Sequence, residues 1–270
     1  MEAAQRDRVG GDWRRIETLS NGCSLITWNR NKGGPQQSLS FRQAVNLVID
    51  RADMIRQSGK LGYPARSFLP REDTELNINW HDAEAAKQLL EESGYDGTPF
   101  LLICKETERV DAEWIKRQCA SIGIPVEIRY ESKSSIARKD TIRQADALLS
   151  CLVFSDDEVC ELESYLQEDS MIHQHLEPGL RQWIFRLTDQ IYATKSKEKR
   201  RALLKQIEYR LQDEAQVLFL VHQKLNTFIH PSVRGLVINN LGWMDFKDIW
   251  LTSGQGQEKQ TIEPIKAKSV

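Results

Sequence analysis

Hydrophobic and polar residues alternate in the first part of the chain and then change to a helical spacing. The alternation in GCSLITWNRN predicts a strand over residues 22–31. A continuous apolar stripe over 41–59 predicts one helix, capped by Ser40 and ended by a glycine. The loop 61–70 contains two prolines, and we expect it to expose its aromatic side chains. A second helix is predicted over 82–94.

A strand, a helix and a second strand follow, with the spacing of a βαβ unit. The apolar run 99–104 predicts the first strand, and 111–123 has helical spacing. Residues 124–130 predict the return strand. The apolar sequence ADALLSCLVF, residues 145–154, is typical of a strand buried on both faces.

The C-terminal part continues with further helices and then short strands. An acidic, partly helical segment precedes two amphipathic helices over 180–194 and 197–215. Three short strands are predicted over 216–223, 226–230 and 233–240. Because strands and helices mix without strict alternation, the fold class is α/β with a mixed sheet.

Composition limits the classes of protein to consider. At 270 residues, with about 150 residues per domain as a guide, the chain has room for one large domain or two small ones. Lys and Arg number 37 against 39 Asp and Glu, a net charge of −2, which lacks the basic footprint of a nucleic-acid-binding domain. No apolar run approaches the roughly 20 residues of a membrane span, and no export signal opens the sequence, so we expect a cytoplasmic protein without a membrane span.

The cysteines support the same compartment. Five cysteines are present, and none forms a C-x-x-C pair. An odd number without paired spacing makes a disulfide framework improbable, so we expect reduced, mostly buried thiols and no disulfides. They are Cys23, Cys104, Cys119, Cys151 and Cys160.

The spacing of two histidines gives only weak evidence for a metal site. His173 and His175 are two residues apart, a spacing that suits ligands on a strand but not on one face of a helix. Asp169 and Glu177 could complete such a site, but no Cys/His grouping supports it. We therefore expect surface histidines and no metal.

Two carboxylates come directly after the apolar strand that ends at Phe154. Asp156 and Asp157 stand where α/β folds place ligand contacts, and they could hold an amine or a hydroxyl group. The alternative is that Ser155 or one of the aspartates caps the next helix, which we weigh as the more common role.

The rest of the sequence gives no indication of a catalytic or cofactor-binding site. The basic run 195–201 begins a helix with an apolar opposite stripe, so it is expected to be a solvated face. No nucleophile-elbow, phosphate-loop or dinucleotide-binding motif occurs, so we expect no cofactor and no enzymatic activity.

Several motifs resemble, in order, those of the family 5 extracellular solute-binding proteins, the oligopeptide, dipeptide and nickel receptors of ABC importers. The similarity runs from about Ser24 to Leu251. It rests on Arg42, Gln43 and Ala44, on Ile49, Asp50 and Arg51, on Pro64, Ala65, Leu69 and Pro70, on Ala86, Leu89, Leu90, Gly94 and Tyr95, and on Val233, Gly235, Gly242, Trp243 and Asp245. The resemblance implies a periplasmic-binding-protein-like type II lobe within an incomplete two-lobe architecture.

Two departures from the receptor pattern point to a subgroup. Where receptors have Trp-Gly-x-Asp-x-x-Asp-Pro after the matching strand, this chain has Phe154, Ser155, Asp156 and Asp157. The missing export signal, the cysteines and the final segment GWMDFKDIWL resemble the SgrR-like transcription regulators, which join a winged-helix DNA-binding domain to a family 5 domain. The resemblance implies a ligand wall formed by Phe154, Asp156 and Asp157, with Arg42 and Tyr63 as weaker contributors.

The resemblance also implies a domain organisation. Residues 1–23 would be an incomplete N-terminal segment, 24–220 the C-terminal lobe, 221–251 strands that return to the first lobe, and 252–270 a disordered tail. The expected function is ligand sensing by an SgrR-like regulator, through closure of two lobes on a small solute, peptide or sugar-like, with DNA bound only by a missing N-terminal domain. The alternative is the receptor of a peptide ABC importer.

Overall fold

A computed structural model describes residues 13–70, 80–155, 157–239 and 241–252. The chain forms two compact units. The larger unit is Leu19–Leu225, and the smaller combines Met1–Thr18 with Asn226–Val270. The predicted tail lies outside the described residues, apart from Thr252.

The larger unit combines a sheet with helices. Its strands are β2 (Gly22–Trp28), β3 (Gly62–Pro64), β4 (Phe100–Lys105), β5 (Val126–Glu131), β6 (Ala147–Val153) and most of β7 (Val217–Ile229). Its α-helices are α1 (Leu39–Val48), α2 (Arg51–Ser58), α3 (Ala83–Glu92), α4 (Arg109–Ala120), α5 (Lys133–Ile136), α6 (Lys139–Gln144), α7 (Glu163–Leu166), α8 (Met171–His175), α9 (Pro178–Ala193) and α10 (Lys197–Asp213). Among the described helices, none has the length and apolar character needed to cross a membrane.

The sheet of the larger unit is mixed, as predicted. Its strand order is β7-β2-β6-β4-β5, with β3 beside β7. β4 pairs in parallel with β5 and β6, whereas β2 pairs antiparallel with β6 and β7. The predicted βαβ unit is therefore confirmed, and β4, β5 and β6 bring their carboxyl ends to one edge.

Helices cover both faces of this sheet. Every residue of β2 is buried. Its alternate residues enter two different cores: Ile26 and Trp28 pack with Phe41 and Phe100, whereas Leu25 packs in the cluster that contains Phe219. The two-residue period of a strand divides its side chains between the cores, which explains its nearly continuous apolar sequence.

The single helix predicted over 41–59 is wrong, because two helices occupy this stretch. Ser38, not Ser40, caps α1 by accepting a hydrogen bond from the Phe41 N–H at 3.3 Å. The chain leaves helical geometry at Ile49 and Asp50, and the Asp50 carboxylate accepts the Asp53 N–H at 2.9 Å. An aspartate that caps the next turn competes with continuation of the first helix.

The C-terminal strands also differ from the prediction. The first two predicted strands form one strand, β7, of 13 residues. α10 matches its prediction: Leu204, Ile207 and Leu211 are buried, and the basic run 195–201 lies outside the core as expected.

The smaller unit contains strand β1 (Arg14–Leu19), which ends at the boundary, and two antiparallel ribbons. β9 (Val237–Ile238) pairs with β10 (Met244–Asp245), and β8 (Val233–Arg234) pairs with β11 (Trp250–Leu251). Gly235 has φ +72°, and a Cβ there would lie 1.9 Å from the Asp248 carbonyl oxygen, so this ribbon requires glycine.

The described part of the smaller unit exposes several large apolar side chains. Trp243 is 70% exposed. The others are Trp13, Val237, Met244, Phe246, Trp250 and Leu251. Six of these seven residues fall between positions 237 and 251, and exposed apolar side chains at this density are typical of a surface that meets another protein surface.

Candidate functional site

A cavity of about 350 Å³ lies against one face of β6. Leu148, Ser150 and Leu152 alternate along the strand and face it, and Phe154 continues this series beyond the strand end. The cavity therefore lies toward the carboxyl edge of the parallel strands, where α/β folds place ligands. Its volume falls within the range of small-molecule sites.

The remaining walls come from the helices after β5 and β6. Ile142 of α6 and Met171 of α8 contribute apolar surface, while Glu163 and Asp169 contribute carboxylates. The other lining residues are Ile136, Ala137, Val153, Cys160, Ser164, Gln167 and Ser170. The arrangement is an apolar pocket with polar groups around part of its wall.

Phe154 is fixed on two sides. Its N–H donates to the Asn21 carbonyl at 2.7 Å, and its ring meets Phe68 edge to face with centroids 5.6 Å apart. The side chain is 7% exposed. Phe68 is fully buried, so the expectation that the loop 61–70 exposes all its aromatic residues is wrong. An aromatic residue in that loop supports the cavity wall instead.

The structure describes one of the two aspartates predicted to follow Phe154 in the ligand wall. Asp157 caps the 3₁₀ helix Glu158–Leu162 by accepting the Val159 N–H at 3.1 Å. The capping role that we weighed as more common is therefore present, and the carboxylate is exposed. Asp156 lies outside the described residues.

Arg42 is buried in the core of the larger unit at 1% exposure. Its guanidinium donates to the carbonyl oxygens of Gln36, Gln37, Glu214 and Ala215. Burial lowers the pKa of Arg42 to about 10. These bonds tie α1 to the end of α10, and Arg42 does not line the cavity.

Tyr63 stands on β3, opposite His222 of β7. The Lys224 ammonium lies 4.6 Å from its ring centroid, a cation–π contact. Tyr63 is partly buried and does not line the cavity. Of the described candidates, only Phe154 lines the cavity.

Sequence reasoning did not place Ser150, Glu163 or Asp169 at this cavity, although it named Asp169 as a possible metal ligand. The alternation in ALLSCLV already places Ser150 on the same face as Leu148 and Leu152, so its position was available from the pattern. Glu163 and Asp169 belong to an acidic segment that reaches the cavity because the chain folds back over β6. This long-range contact cannot be read from local sequence spacing.

The histidines are buried, so the expectation that His173 and His175 are surface residues is wrong. His173 Nδ1 lies 2.7 Å from the Tyr165 carbonyl oxygen, and His175 Nδ1 lies 2.9 Å from Thr27 Oγ1. Burial lowers the pKa of His175 to about 4. Within the described ranges, no group of three His, Cys, Asp or Glu side chains is placed to hold a metal ion.

The cysteines are free thiols. Cys23, Cys104 and Cys119 are buried, whereas Cys151 and Cys160 are partly exposed. Burial raises the pKa of Cys104 and Cys119 to about 12, so these thiols stay protonated. Cys160 lines the cavity and can report on its occupancy.

A second cavity, of about 560 Å³, lies on another side of the larger unit. The guanidinium carbons of Arg51 and Arg66 lie 4.4 and 4.7 Å from the centroid of the Trp80 ring, which lines this cavity. Of the predicted ligand residues that the structure describes, none lines this cavity.

The architecture is that of periplasmic-binding-protein-like type II solute-binding proteins, as solved structures show. NikA from Brucella suis in complex with Fe(III)-EDTA superposes with a TM-score of 0.79 at 20% identity, over 93% of this chain and 55% of NikA. AppA from Bacillus subtilis in complex with a nonapeptide gives a TM-score of 0.71 at 16% identity, over 93% of this chain and 55% of AppA.

The chain belongs to family 5 of the bacterial extracellular solute-binding proteins. The family model described as "Bacterial extracellular solute-binding proteins, family 5 Middle" matches residues 2–157. This is a family of binding proteins rather than enzymes, which confirms the expectation from the sequence.

One curated relative has a higher sequence identity to this chain than the two solved proteins above. YhjP of Bacillus subtilis (strain 168), an uncharacterized protein, is 30% identical over 231 residues, which are 84% of this chain and 39% of YhjP. The chain thus spans well under half of this relative and about half of the solved proteins that it matches.

Proposed function

We propose that this chain is the C-terminal part of a two-lobe solute-binding domain and that the cavity beside β6 forms its ligand wall. One observation carries the proposal: in a solute-binding fold, Phe154 closes an apolar cavity at the carboxyl edge of the parallel strands. A small solute would bind here against one wall and be enclosed when the other lobe closes.

The proposed lobe boundaries remain those of the sequence, with 24–220 as the C-terminal lobe and 221–251 as strands returning to the first lobe. The exposed Trp243, Phe246 and Trp250 support this proposal. Apolar side chains this exposed would be covered by residues of a longer protein, and the curated relative and the solved proteins are longer.

The test compares two forms of the protein. A library of dipeptides and sugars is titrated calorimetrically into the full-length gene product and into the 270-residue chain. We expect at least one solute of the library to bind the full-length gene product tightly. The same solute should bind the 270-residue chain weakly or not at all, because this chain supplies only one wall of the binding site. Phe154→Ala should abolish binding to the longer form. Tight binding that Phe154→Ala leaves unchanged would contradict the proposed wall.

The finer proposal is a cytoplasmic, SgrR-like transcription regulator, in which ligand-driven closure biases DNA binding by a separate winged-helix domain. Five free thiols are compatible with a reducing compartment. Phe154, Ser155 and Asp157 stand where importer receptors have a different loop. The full-length product should bind the DNA upstream of its own gene, and a solute that it binds should change its affinity for that DNA. Both results together would support this proposal.

The alternative is the receptor of a peptide ABC importer, favoured by the fold shared with the nonapeptide-bound AppA. The coding sequence of the full gene separates the two. A winged-helix segment before the solute-binding domain supports the regulator, whereas a lipoprotein signal supports the receptor and would overturn the regulator.

A further inference from the structure

The second cavity, of about 560 Å³, shares no described lining residue with the cavity beside β6. Its walls come from α1, the loop after β3, Trp80, α3, and the stretch where α10 leads into β7. Its volume falls within the range of small-molecule sites. The ligand wall proposed above therefore gives this second cavity no function.

Two guanidinium groups lie at the Trp80 ring, which lines the second cavity. Their carbon atoms are 4.4 Å (Arg51) and 4.7 Å (Arg66) from the ring centroid. Arg51 is fully buried, and its Nε donates to the Phe219 carbonyl oxygen at 2.7 Å, so its position is fixed. Burial and the nearby charge of Arg66 lower the pKa of Arg51 to about 9, and the adjacent Asp50, which caps α2, acts in the opposite direction.

Within the described parts of the chain, neither guanidinium forms an ion pair with a carboxylate. Arg51 donates to three backbone carbonyl oxygens and to Asn46 Oδ1. The Arg66 guanidinium is exposed to the cavity and contacts the Trp80 ring. Asp213 is the acidic residue of the described lining. Two like charges at one ring repel each other, and a bound anion would relieve this repulsion.

Two amide side chains of α1 line the same cavity. Gln43 and Asn46 are three residues apart, so they lie on one face of the helix. Asn46 Oδ1 already accepts a hydrogen bond from Arg51, so its Nδ2 is the group left to donate to a ligand. Together with the Arg66 guanidinium, these amides supply donors that suit the acceptor-only oxygens of a carboxylate.

The rest of the described lining is mainly apolar. Leu47 of α1, Leu89 of α3, and Val217 and Phe219 of β7 contribute hydrocarbon and aromatic surface. Such a surface favours a ligand that carries an apolar group beside its charge. A bare inorganic anion would leave this surface unused.

We infer that the second cavity binds a small organic acid, with its carboxylate at Arg66 and Asn46 and its apolar part against Leu47 and Leu89. This site is independent of the proposed ligand wall beside β6. The Trp80 ring holds the Arg66 guanidinium in place, so less rotamer freedom is lost when an acid binds. Asp213 disfavours a ligand of higher negative charge, such as phosphate.

The experiment follows the tryptophan indole N–H signals of the 270-residue chain by ¹H–¹⁵N NMR. Trp80 lines the cavity, whereas Trp114 is outside its described lining and has Arg117 at 5.0 Å from its ring centroid. Trp114 is therefore a matched internal control, and Trp80→Phe assigns the Trp80 signal by its loss. We expect 3-phenylpropanoate to shift the Trp80 signal saturably and to leave the Trp114 signal fixed. Its Kd should be roughly tenfold below that of the neutral 3-phenylpropanamide.

Matched variants assign this preference to Arg66. Arg66→Gln should raise the Kd for 3-phenylpropanoate about tenfold, whereas Arg117→Gln should leave it unchanged. Both arginines are exposed, so both variants retain the fold and remove the same charge. Asp213→Asn should lower the Kd, because it removes a like charge from the lining.

The contrary outcomes are distinct. Equal affinity for the acid and the amide, or an unchanged Kd in Arg66→Gln, would overturn the anion preference. Parallel shifts of Trp80 and Trp114, or no shift at millimolar 3-phenylpropanoate, would overturn the cavity as a site. Inorganic phosphate that saturates the Trp80 shift at lower concentration than the acid would overturn the organic acid. Phe154→Ala should leave the titration unchanged, which separates this result from the test of the ligand wall.

Discussion

Phe68 and Phe154 meet edge to face, with ring centroids 5.6 Å apart and ring planes at 83°. One residue belongs to the loop after β3 and the other follows β6, so this contact joins segments that are distant in the sequence. Phe68 also meets Phe219 of β7 at 4.8 Å. The Phe154 ring that closes the cavity beside β6 is therefore held, through Phe68, by the sheet itself.

Phe154→Ala should destabilise the larger unit by about 3 kcal/mol, because it removes a buried aromatic ring and leaves a void beside Phe68. Phe154→Leu should cost less, since it keeps most of the apolar volume. Urea unfolding of both variants checks this. Equal stability of Phe154→Ala and the natural chain would show that the ring is not packed as described.

Ser150→Ala should change the free energy of unfolding by less than about 0.5 kcal/mol, since the Ser150 side chain lines the cavity and its removal leaves the packing of β6 in place. Urea unfolding of the variant and of the natural chain measures this change. A large loss of stability would instead indicate a structural hydrogen bond at Ser150.

Arg42→Ala should lower the free energy of unfolding by about 3 kcal/mol or more, because four carbonyl oxygens lose their donor inside the core. Arg42→Lys should recover little, since an ammonium cannot reproduce the planar fork of donors. Thermal and urea unfolding measure both variants. Loss of ligand binding at full stability would place Arg42 in the ligand site instead.

Stability should fall as the pH drops from about 6.5 to about 4, because burial lowers the pKa of His175 and of His222 to about 4. Over that window the unfolded chain binds protons that the folded chain does not, so the free energy of unfolding rises with pH. Each histidine contributes on the order of 3 kcal/mol. Urea unfolding at several pH values gives the free energy of unfolding as a function of pH. For His222→Gln this free energy should change less steeply with pH than in the natural chain, and an unchanged pH dependence would contradict this assignment.

The sequence pattern predicted the parts of the fold that local periodicity determines. The βαβ unit, the buried strand β6 and the amphipathic helix α10 follow from apolar spacing and turn residues. The division of the first helix at Asp50 was not predicted, because a capping aspartate and an ordinary helical aspartate look alike in a sequence.

The candidate site was predicted less completely. Phe154 lines a cavity of ligand size, and its role in ligand binding stays a prediction; it could be named because it directly follows an identifiable strand. Arg42 was grouped with it on the basis of a family motif, but its four carbonyl partners belong to the core. Glu163 and Asp169 reach the cavity through the folding of the helices after β6, which no short spacing reveals.

The most direct test of the ligand wall uses the methionine methyl groups as probes. The chain has four methionines, and Met171 lines the cavity, whereas Met54 is in another core cluster and Met244 is in the smaller unit. In a ¹³C-methyl NMR titration of the full-length gene product with a solute that it binds tightly, the Met171 signal should shift saturably while those of Met54 and Met244 stay fixed. A fixed Met171 signal, or a saturable shift at Met54 or Met244 alone, would contradict the ligand wall beside β6.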